Sequence, residues 1–383
     1  MKKTKLRWAL SFMLTAYAFL SVSSAAHACI ESENRKEAFE TAPDIYINVD
    51  ESTPALSDNV EVGSRFWELF FGETKKDVSK IHLVPGGDVF GIKIKQKNVT
   101  VTDAKGVPAL KPGDIIISIN GKSVTCADDV KRLISHSGGE SITIRALHAG
   151  DEIGVEVRPQ YEDGEYKLGI SVRDGAAGIG TVTFIDPENY TFGGLGHGII
   201  DGESGEIISM QSGEVCGVVL GGVHKGECGK PGELCGILTE EELGDLTSNN
   251  ECGVFGILDS SDLDITAEDA ISVATKSEVH EGEATIYSTI KNGKMAEYKI
   301  EIFDIDQSST GSKSFRIRVT DETLKALTGG IVRGMSGSPI IQDGKLVGAV
   351  THVMVANPTE GYGIFIENML NASNARNELP RAA

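Results

Sequence analysis

One serine of this sequence, Ser336, stands between glycines in a segment that could support nucleophilic chemistry. The segment reads GMSGSP from Gly334 and is followed by two short apolar runs joined by an Asp-Gly turn. Small neighbours let an acyl group approach the hydroxyl, and a glycine two residues earlier permits the backbone twist that aims amides at a developing oxyanion. The pattern predicts that Ser336 is a nucleophile and that the amides of Gly334 and Ser336 form an oxyanion hole. An ordinary Gly/Ser turn is the alternative.

A histidine with the same kind of glycine-rich surroundings lies upstream, in the segment FGGLGHGIID that contains His197. A general base must come within hydrogen-bond distance of the serine hydroxyl, and small flanking residues allow another loop to close on the imidazole. We therefore expect His197 to activate Ser336. Of the other histidines, only His352, downstream of the serine segment, is kept as a reserve candidate.

The serine segment resembles the nucleophile loop of chymotrypsin-like proteases, whose usual form is Gly-x-Ser-Gly-Gly-Pro. It does not match the Gly-x-Ser-x-Gly elbow of α/β-hydrolases, because position 338 is serine and no strand-to-helix pattern surrounds it. The histidine also precedes the serine, as the chymotrypsin-like order requires. From about Lys167 to Met369 the chain is rich in short strands and glycines, which predicts an all-β barrel or sandwich pair.

The segment before this block has the element order of a PDZ domain. LKPGDIIISINGKSV, starting at Leu110, predicts a turn, a buried strand and an Asn-Gly hairpin, and CADDVKRLISHSG predicts a helix. The stretch resembles the PDZ domains of bacterial proteases, which bind peptide termini through a glycine-rich loop and an adjacent strand edge. The resemblance implies that the loop from Val84 to Phe90 binds peptide through Pro85, Gly86, Gly87 and Val89, although PGG could simply turn the chain.

Length and composition agree with several β-rich domains. The chain has 383 residues, 45 of them glycine, and a formal net charge of −20, which argues against nucleic acid as a partner. We predict a mainly β protein with an N-terminal PDZ-like domain over 79–160, followed by a chymotrypsin-like double β-barrel peptidase domain over 165–375.

The N-terminus reads as an export signal, with basic residues ahead of an uncharged stretch from Trp8 to Ala26. Residues 1–28 are expected to be a cleaved signal peptide, with an uncut membrane anchor as the alternative, and 29–78 a linker or loosely packed segment. We therefore expect an exported protein.

Cysteines crowd the region after the histidine segment. Cys216, Cys228, Cys235 and Cys252 fall within 37 residues, without the close pairs typical of zinc sites. In an exported protein they could form disulfides or remain reduced. No metal or other cofactor is expected; a zinc-dependent hydrolase using Cys216, Cys228, Cys235 and His224 is the weaker alternative.

These motifs together resemble the SpoIVB peptidase family of endospore-forming bacteria. The shared motifs are VPGG, LKPGD with NGK, FGGLGHGI, PGEL, CGVFG and GMSGSPI. The resemblance implies a serine endopeptidase, associated with the membrane or released between forespore and mother cell. It also implies that the enzyme cleaves itself and a membrane-embedded regulator of an intramembrane protease during spore formation, with self-association through the PDZ domain as a further option.

The resemblance places the triad acid at Asp321, fifteen residues before the serine. Spacing alone cannot show which carboxylate reaches the imidazole, so Asp201, Asp304 and Asp306 remain competitors. A catalytically inactive scaffold, with a PDZ domain that binds peptide termini, is the rival interpretation.

Overall fold

A computed structural model describes residues 78–202, 204–259, 265–291 and 293–374. The expected signal peptide or anchor over 1–28, and all but the last residue of the expected linker over 29–78, lie outside these ranges. Within them, no helix combines the length and the apolar character needed to cross a bilayer.

The described chain is built mainly from β-strands. In chain order the strands are β1 His82–Pro85, β2 Val89–Asp103, β3 Ile115–Ile119, β4 Lys122–Ser123, β5 Ile142–His148, β6 Asp151–Val157, β7 Gln160–Glu162, β8 Glu165–Lys167, β9 Ser171–Ile185, β10 Thr191–Gly194, β11 Met210–His224, β12 Glu233–Asn250, β13 Gly253–Leu258, β14 Ile271–Ser272, β15 Gly282–Lys291, β16 Lys294–Phe303, β17 Phe315–Val319, β18 Pro339–Gln342, β19 Lys345–Met354 and β20 Asn357–Phe365. The α-helices are α1 Ala127–Ser135, α2 Glu322–Thr328 and α3 Ile366–Asn374, and 3₁₀ turns cover Val78–Lys80, Ala267–Asp269 and Lys276–Glu278.

A first barrel forms from six strands in the order β2-β9-β10-β13-β12-β11. It closes because β2 pairs with both β9 and β11, so the sheet returns to its starting strand. Its interior is filled by large apolar side chains, including Phe90, Ile92, Phe192, Val215 and Val254. Burial of these side chains is what makes the closed sheet stable in water.

A second barrel follows, with the strand order β15-β16-β17-β20-β19-β18 and closure between β15 and β18. Strand β17 shows the alternation expected of a strand with one buried face. Phe315, Ile317 and Val319 are buried, while the two intervening arginines are partly exposed. Period-two alternation puts one face of the strand into the core. The second closed barrel confirms the predicted double-barrel architecture.

The PDZ unit is inserted into the first barrel instead of preceding it. Strand β2 belongs to the barrel over Val89–Lys95, and then continues into the PDZ unit, where Val99 and Thr100 pair with β3. Strand β9 returns the chain in the same way, from Ser171 into the barrel. A separate core holds the unit together, made from residues between Val99 and Leu168. The predicted PDZ domain over 79–160 therefore needs correction at its start, because Val84–Pro85 and Val89–Lys95 pair with strands of the first barrel.

Strand β9 also carries the contacts that fix the serine segment against the first barrel. The Thr181 N–H donates to the Ser336 carbonyl at 2.9 Å. The Thr181 hydroxyl donates to the Gly334 carbonyl at 2.7 Å, and the Thr183 hydroxyl donates to the Gly337 carbonyl at 2.8 Å. Both threonines are fully buried. The loop of one barrel is thus held by hydrogen bonds from the other.

We expect Thr183→Val to lower the free energy of unfolding by about 1–3 kcal/mol, because the change keeps the side-chain shape but leaves the buried Gly337 carbonyl without its donor. Urea unfolding followed by circular dichroism measures the effect. The exposed Thr320 provides the control, and Thr320→Val should change stability by no more than about 0.5 kcal/mol. Equal stability of the two variants would contradict this role for Thr183.

Candidate active site

The two barrels meet at a small cavity that contains both of the predicted catalytic side chains. His197 follows β10 of the first barrel, and Ser336 lies between α2 and β18 of the second. The cavity holds about 50 Å³ and is lined by His197, Pro231, Ile331, Val332, Arg333, Ser336, Thr351, His352, Val353 and Val355. Folding therefore brings together two residues that are 139 positions apart in the sequence.

His197 owes its position to an unusual turn. The preceding Leu195 and Gly196 both have positive φ, at 64° and 69°. A Cβ at position 196 would meet the Thr351 side chain at 2.8 Å, so glycine also permits the close approach of the second barrel. The glycine-rich sequence around the histidine thus serves backbone geometry and barrel contact.

The imidazole of His197 is oriented by a backbone carbonyl. Its Nδ1 lies 2.9 Å from the Gly198 oxygen, and this is its one hydrogen bond among the described residues. Because a carbonyl can only accept, Nδ1 carries the proton and Nε2 is left as the basic nitrogen. Burial lowers the pKa of His197 below 6.5, so the ring is neutral at pH 7 and able to take a proton.

The Ser336 hydroxyl points at a carbonyl of the neighbouring strand. Its Oγ donates to the Thr351 oxygen at 2.7 Å. A rotation about χ1 is the motion that would turn the hydroxyl from this carbonyl toward an imidazole in the same cavity. In this geometry the hydroxyl proton of Ser336 is held by a backbone carbonyl of β19.

The amides around Ser336 divide into two groups. Met335, Gly337 and Ser338 donate to carbonyls of Val332, Val350 and Met335, at 3.1, 2.8 and 2.9 Å respectively. In contrast, no acceptor within the described ranges takes the N–H of Gly334 or Ser336. Gly334 has a φ of 94°, which favours glycine there. These are the two amides predicted to form an oxyanion hole, and both are available for a ligand.

His352, the reserve candidate, lines the same cavity. Its ring centroid lies 4.9 Å from that of His197, and its buried Nδ1 has no partner in the part of the chain that the structure describes. Burial, reinforced by His197, lowers the pKa of His352 to about 3. Two neutral imidazoles therefore face each other beside the serine.

Asp321, the acid implied by the family resemblance, has a structural role in this fold. It is the N-cap of α2, where its carboxylate accepts the Leu324 N–H at 2.9 Å. The same carboxylate lies 3.4 Å from the Lys299 amide nitrogen. Since His197 Nδ1 is bonded to Gly198, the structure does not bring Asp321 to the imidazole. A Ser/Thr/Asp/Asn residue followed by an apolar helix was the signal that could have predicted the cap.

The competing aspartates are also engaged elsewhere. Asp201 is buried in an ion pair with Arg173 at 2.6 Å. Asp306 accepts the Ser308 N–H and hydroxyl, which lowers the pKa of its carboxyl. Asp304 has a φ of 54° and lies 3.9 Å from Arg316. The histidine is thus oriented by a carbonyl, without an aspartate among the described residues.

The predicted peptide-binding loop lies between the barrels. The Gly86 and Gly87 amides donate to the Thr183 and Val182 carbonyls, each at 2.9 Å, and the Thr289 hydroxyl donates to the Gly87 carbonyl. Pro85 pairs with β9 of the first barrel, as does Val89. The glycine amides that would have bound a peptide carboxylate are already used, so this assignment is corrected: the segment joins the two barrels.

A second segment has the arrangement that peptide addition requires. Leu168-Gly169-Ile170 leads into β9, where Ser171–Arg173 pairs with β2 on one side, while its other edge pairs with no described strand. Helix α1 lies against this part of β9, with the Ala127 N–H donating to Asp174. The apolar-Gly-apolar triplet before a strand was the sequence signal that the prediction passed over.

No disulfide joins any two of the five cysteines in the described ranges. Burial raises the pKa of the Cys216 and Cys252 thiols, which keeps them protonated near neutral pH.

Two closed barrels that meet at a serine and a histidine, with a PDZ unit inserted in the first, define a PDZ-containing serine endopeptidase. A family model described as SpoIVB peptidase S55 matches residues 164–370, more than half of the chain, and a PDZ-domain model matches residues 109–147. The chain belongs to the SpoIVB peptidase S55 family.

Other similarities are partial. The chain is 32% identical over 81 residues to a candidate zinc metalloprotease of Mesorhizobium japonicum, and 37% identical over 70 residues to one of Rhizobium meliloti. These matches cover 21% and 18% of this chain and span 22% and 19% of those proteins, about a fifth of each. Among solved structures, the active form of the Rv3671c protease from M. tuberculosis is 11% identical, with a TM-score of 0.31, over 66% of this chain and 87% of that one. A PDZ domain from Listeria monocytogenes is 23% identical, with a TM-score of 0.19, over 21% of this chain and 93% of that one.

Asp321→Asn separates a capping role from a catalytic one, because asparagine caps helices about as well as aspartate but cannot stabilise an imidazolium ion. We expect the labelling rate of Ser336 by a fluorophosphonate to stay within about tenfold of the original, whereas loss of a triad acid costs about 10⁴. Asp321→Ala is the companion variant and should lower the free energy of unfolding by about 0.5–2 kcal/mol. A 10⁴-fold loss in the asparagine variant would restore Asp321 to the catalytic site.

Proposed function

We propose that His197 and Ser336 are the catalytic base and nucleophile of this peptidase. The proposal rests on one observation: both side chains line a single cavity beside two amides with no protein acceptor among the described residues. His197 Nε2 takes the hydroxyl proton as Ser336 Oγ attacks the scissile carbonyl carbon. The amides of Gly334 and Ser336 stabilise the oxyanion. The imidazolium then protonates the leaving amine, and water hydrolyses the acyl-enzyme by the same base.

The cavity walls suggest which side chain precedes the cleaved bond. Ile331, Val332, Val353 and Val355 contribute apolar surface, and the cavity is small. Such a pocket favours a short apolar side chain and gains little from a charged one, whose desolvation would not be repaid. Arg333 lies at the same cavity and could contact the substrate backbone or a neighbouring acidic residue.

Peptide recognition at the PDZ unit is proposed to use the edge of β9 beside α1. An extended peptide adding to Ser171–Arg173 would form main-chain hydrogen bonds, while Leu168-Gly169-Ile170 would present amides to its terminal carboxylate. A segment of a regulator, or of a second copy of this chain, could bind at this edge of β9.

The biological setting is proposed from the family. The chain resembles SpoIVB peptidases, and its N-terminal sequence has the features of an export signal. We infer an exported enzyme, associated with the membrane or released between forespore and mother cell. There it would cleave itself and a membrane-embedded regulator of an intramembrane protease during spore formation.

Ser336→Ala is expected to abolish both self-processing and fluorophosphonate labelling while the protein stays folded; loss of a nucleophile of this kind lowers turnover by about 10⁶. Intact-mass analysis of the full-length chain measures both. Ser338→Ala is the matched control, because Ser338 is buried two residues away and its hydroxyl has no partner among the described residues. Continued processing by purified Ser336→Ala would reject the assignment, and an unreactive wild-type serine would favour the inactive-scaffold alternative.

The pH dependence of fluorophosphonate labelling tests whether His197 is the catalytic base. Only the unprotonated imidazole can accept the serine proton, and the pKa of His197 lies below 6.5 because the ring is buried. The labelling rate should therefore fall on acidification with a midpoint below pH 6.5. His280→Gln should leave the profile unchanged, because His280 is exposed and lies outside the cavity. A midpoint above 6.5 would contradict the buried, neutral state of His197.

A further inference from the structure

Three side chains with metal-binding atoms cluster at the end of the hairpin formed by β11 and β12. His224 is the register partner of Glu233 across the hairpin, and Cys235 follows two residues later, on the same face of β12 as Glu233. The ligand atoms of His224, Glu233 and Cys235 all lie within 4.8 Å of one another. None of the three lines the catalytic cavity.

An exposed ion pair does not by itself account for this grouping. His224 Nδ1 lies 3.0 Å from Glu233 Oε1, but the two side chains are 74% and 50% exposed. Exposed pairs contribute little to stability, and a histidine carries a charge only when protonated. The Cys235 thiol beside this pair adds nothing to an ion pair, but it is a soft metal ligand.

We propose that His224, Glu233 and Cys235 form a binding site for Zn²⁺. Zinc accepts imidazole nitrogen, thiolate sulfur and carboxylate oxygen in one tetrahedral shell, with ligand distances of about 2.0–2.3 Å. Small side-chain rotations suffice to bring three atoms already within 4.8 Å of one another onto a common ion. Solvent reaches the cluster, so water completes the shell. Binding releases the thiol proton, because the thiolate is the ligand.

The proposed site is connected to the catalytic loop through the backbone of β12. Glu233 lies between Gly232, whose carbonyl accepts the Arg333 N–H at 2.9 Å, and Leu234, whose N–H donates to the Arg333 carbonyl at 2.9 Å. A Cβ at Gly334 would meet the Leu234 side chain at 3.0 Å, so the two residues are in close contact. Zinc would therefore fix the strand that holds Arg333, next to an amide of the proposed oxyanion hole. This link rests on the proposed function, whereas the metal site itself does not.

Metal binding is tested on the full-length chain, kept reduced with a phosphine, by competition for Zn²⁺ with a chromophoric chelator. We expect one ion per chain, and at least about a tenfold loss of affinity in Cys235→Ser and His224→Ala, since even the loss of outer-sphere partners costs 10–100-fold. Cys228→Ser is the matched control, because Cys228 is an exposed thiol between the same two strands and outside the cluster. Its affinity should stay within about threefold of the original.

Cobalt gives a second readout that is independent of peptidase activity. Co²⁺ bound to this site should show thiolate-to-metal absorption in the near ultraviolet, lost in Cys235→Ser and kept in Cys228→Ser. Glu233→Gln, at an exposed position, tests the carboxylate if a cysteine variant is unstable. Equal zinc affinity in wild type, Cys235→Ser and His224→Ala, or cobalt without the thiolate band, would overturn the proposal.

Hydrogen exchange tests the connection to the catalytic loop. Zinc should slow exchange of the Leu234 and Arg333 amides in wild type and in Cys228→Ser, but not in Cys235→Ser. Zinc binding with unchanged exchange at both amides would overturn the connection. Because no measurement here uses turnover, a failed metal site and a failed catalytic assignment give different results.

Discussion

The hydrogen bonds from β9 to the serine loop are the interaction on which the site depends. Two buried threonine hydroxyls and one backbone amide of the first barrel hold three carbonyls of the loop that carries Ser336. A carbonyl that is held in this way fixes the peptide plane on its far side, and with it the direction of the next N–H. These bonds fix the N–H groups of Met335, Gly337 and Ser338. The Gly334 N–H shares its peptide plane with the Arg333 carbonyl, which accepts the Leu234 N–H of the first barrel at 2.9 Å, and the Ser336 N–H shares its plane with the Met335 carbonyl, which accepts the Ser338 N–H at 2.9 Å. One amide is therefore oriented by a contact across the barrel interface, and the other by a bond within a loop that the first barrel holds in place. The serine loop could not be expected to keep this geometry in an isolated second barrel.

Strand β9 links three parts of the molecule. Its first residues flank the helix of the PDZ unit, its middle pairs with β2 in the barrel, and Thr181 and Thr183 hold the serine loop. The edge proposed to bind peptide and the contacts that hold the Ser336 loop are thus about ten residues apart on one strand. This continuity is a physical connection.

Local patterns in the sequence predicted the strand-rich fold, the PDZ elements and the two residues that meet in the cavity. Each of these depends on a short-range signal, such as alternating burial in β17 or glycines around Ser336. The failed assignments involve pairings between distant segments. Pro85-Gly86-Gly87 looks the same in a sequence whether its amides face a ligand or the carbonyls of β9, more than 90 residues later. Asp321 is a similar case. A carboxylate just before a helix can cap that helix or bind a group elsewhere, and only the folded structure shows which contact it makes.

The insertion of the PDZ unit within the first barrel has a consequence for dissecting this protein. A chain that starts after the PDZ core, near residue 168, would lack β1 and the whole of β2, leaving β9 and β11 without the strand that joins them. Such a fragment would expose two open sheet edges and much of an apolar interior, and aggregation would follow. Its inactivity would reveal nothing about peptide recognition. Excising the module cleanly requires an internal deletion that reconnects the barrel half of β2 to β9 through a short turn.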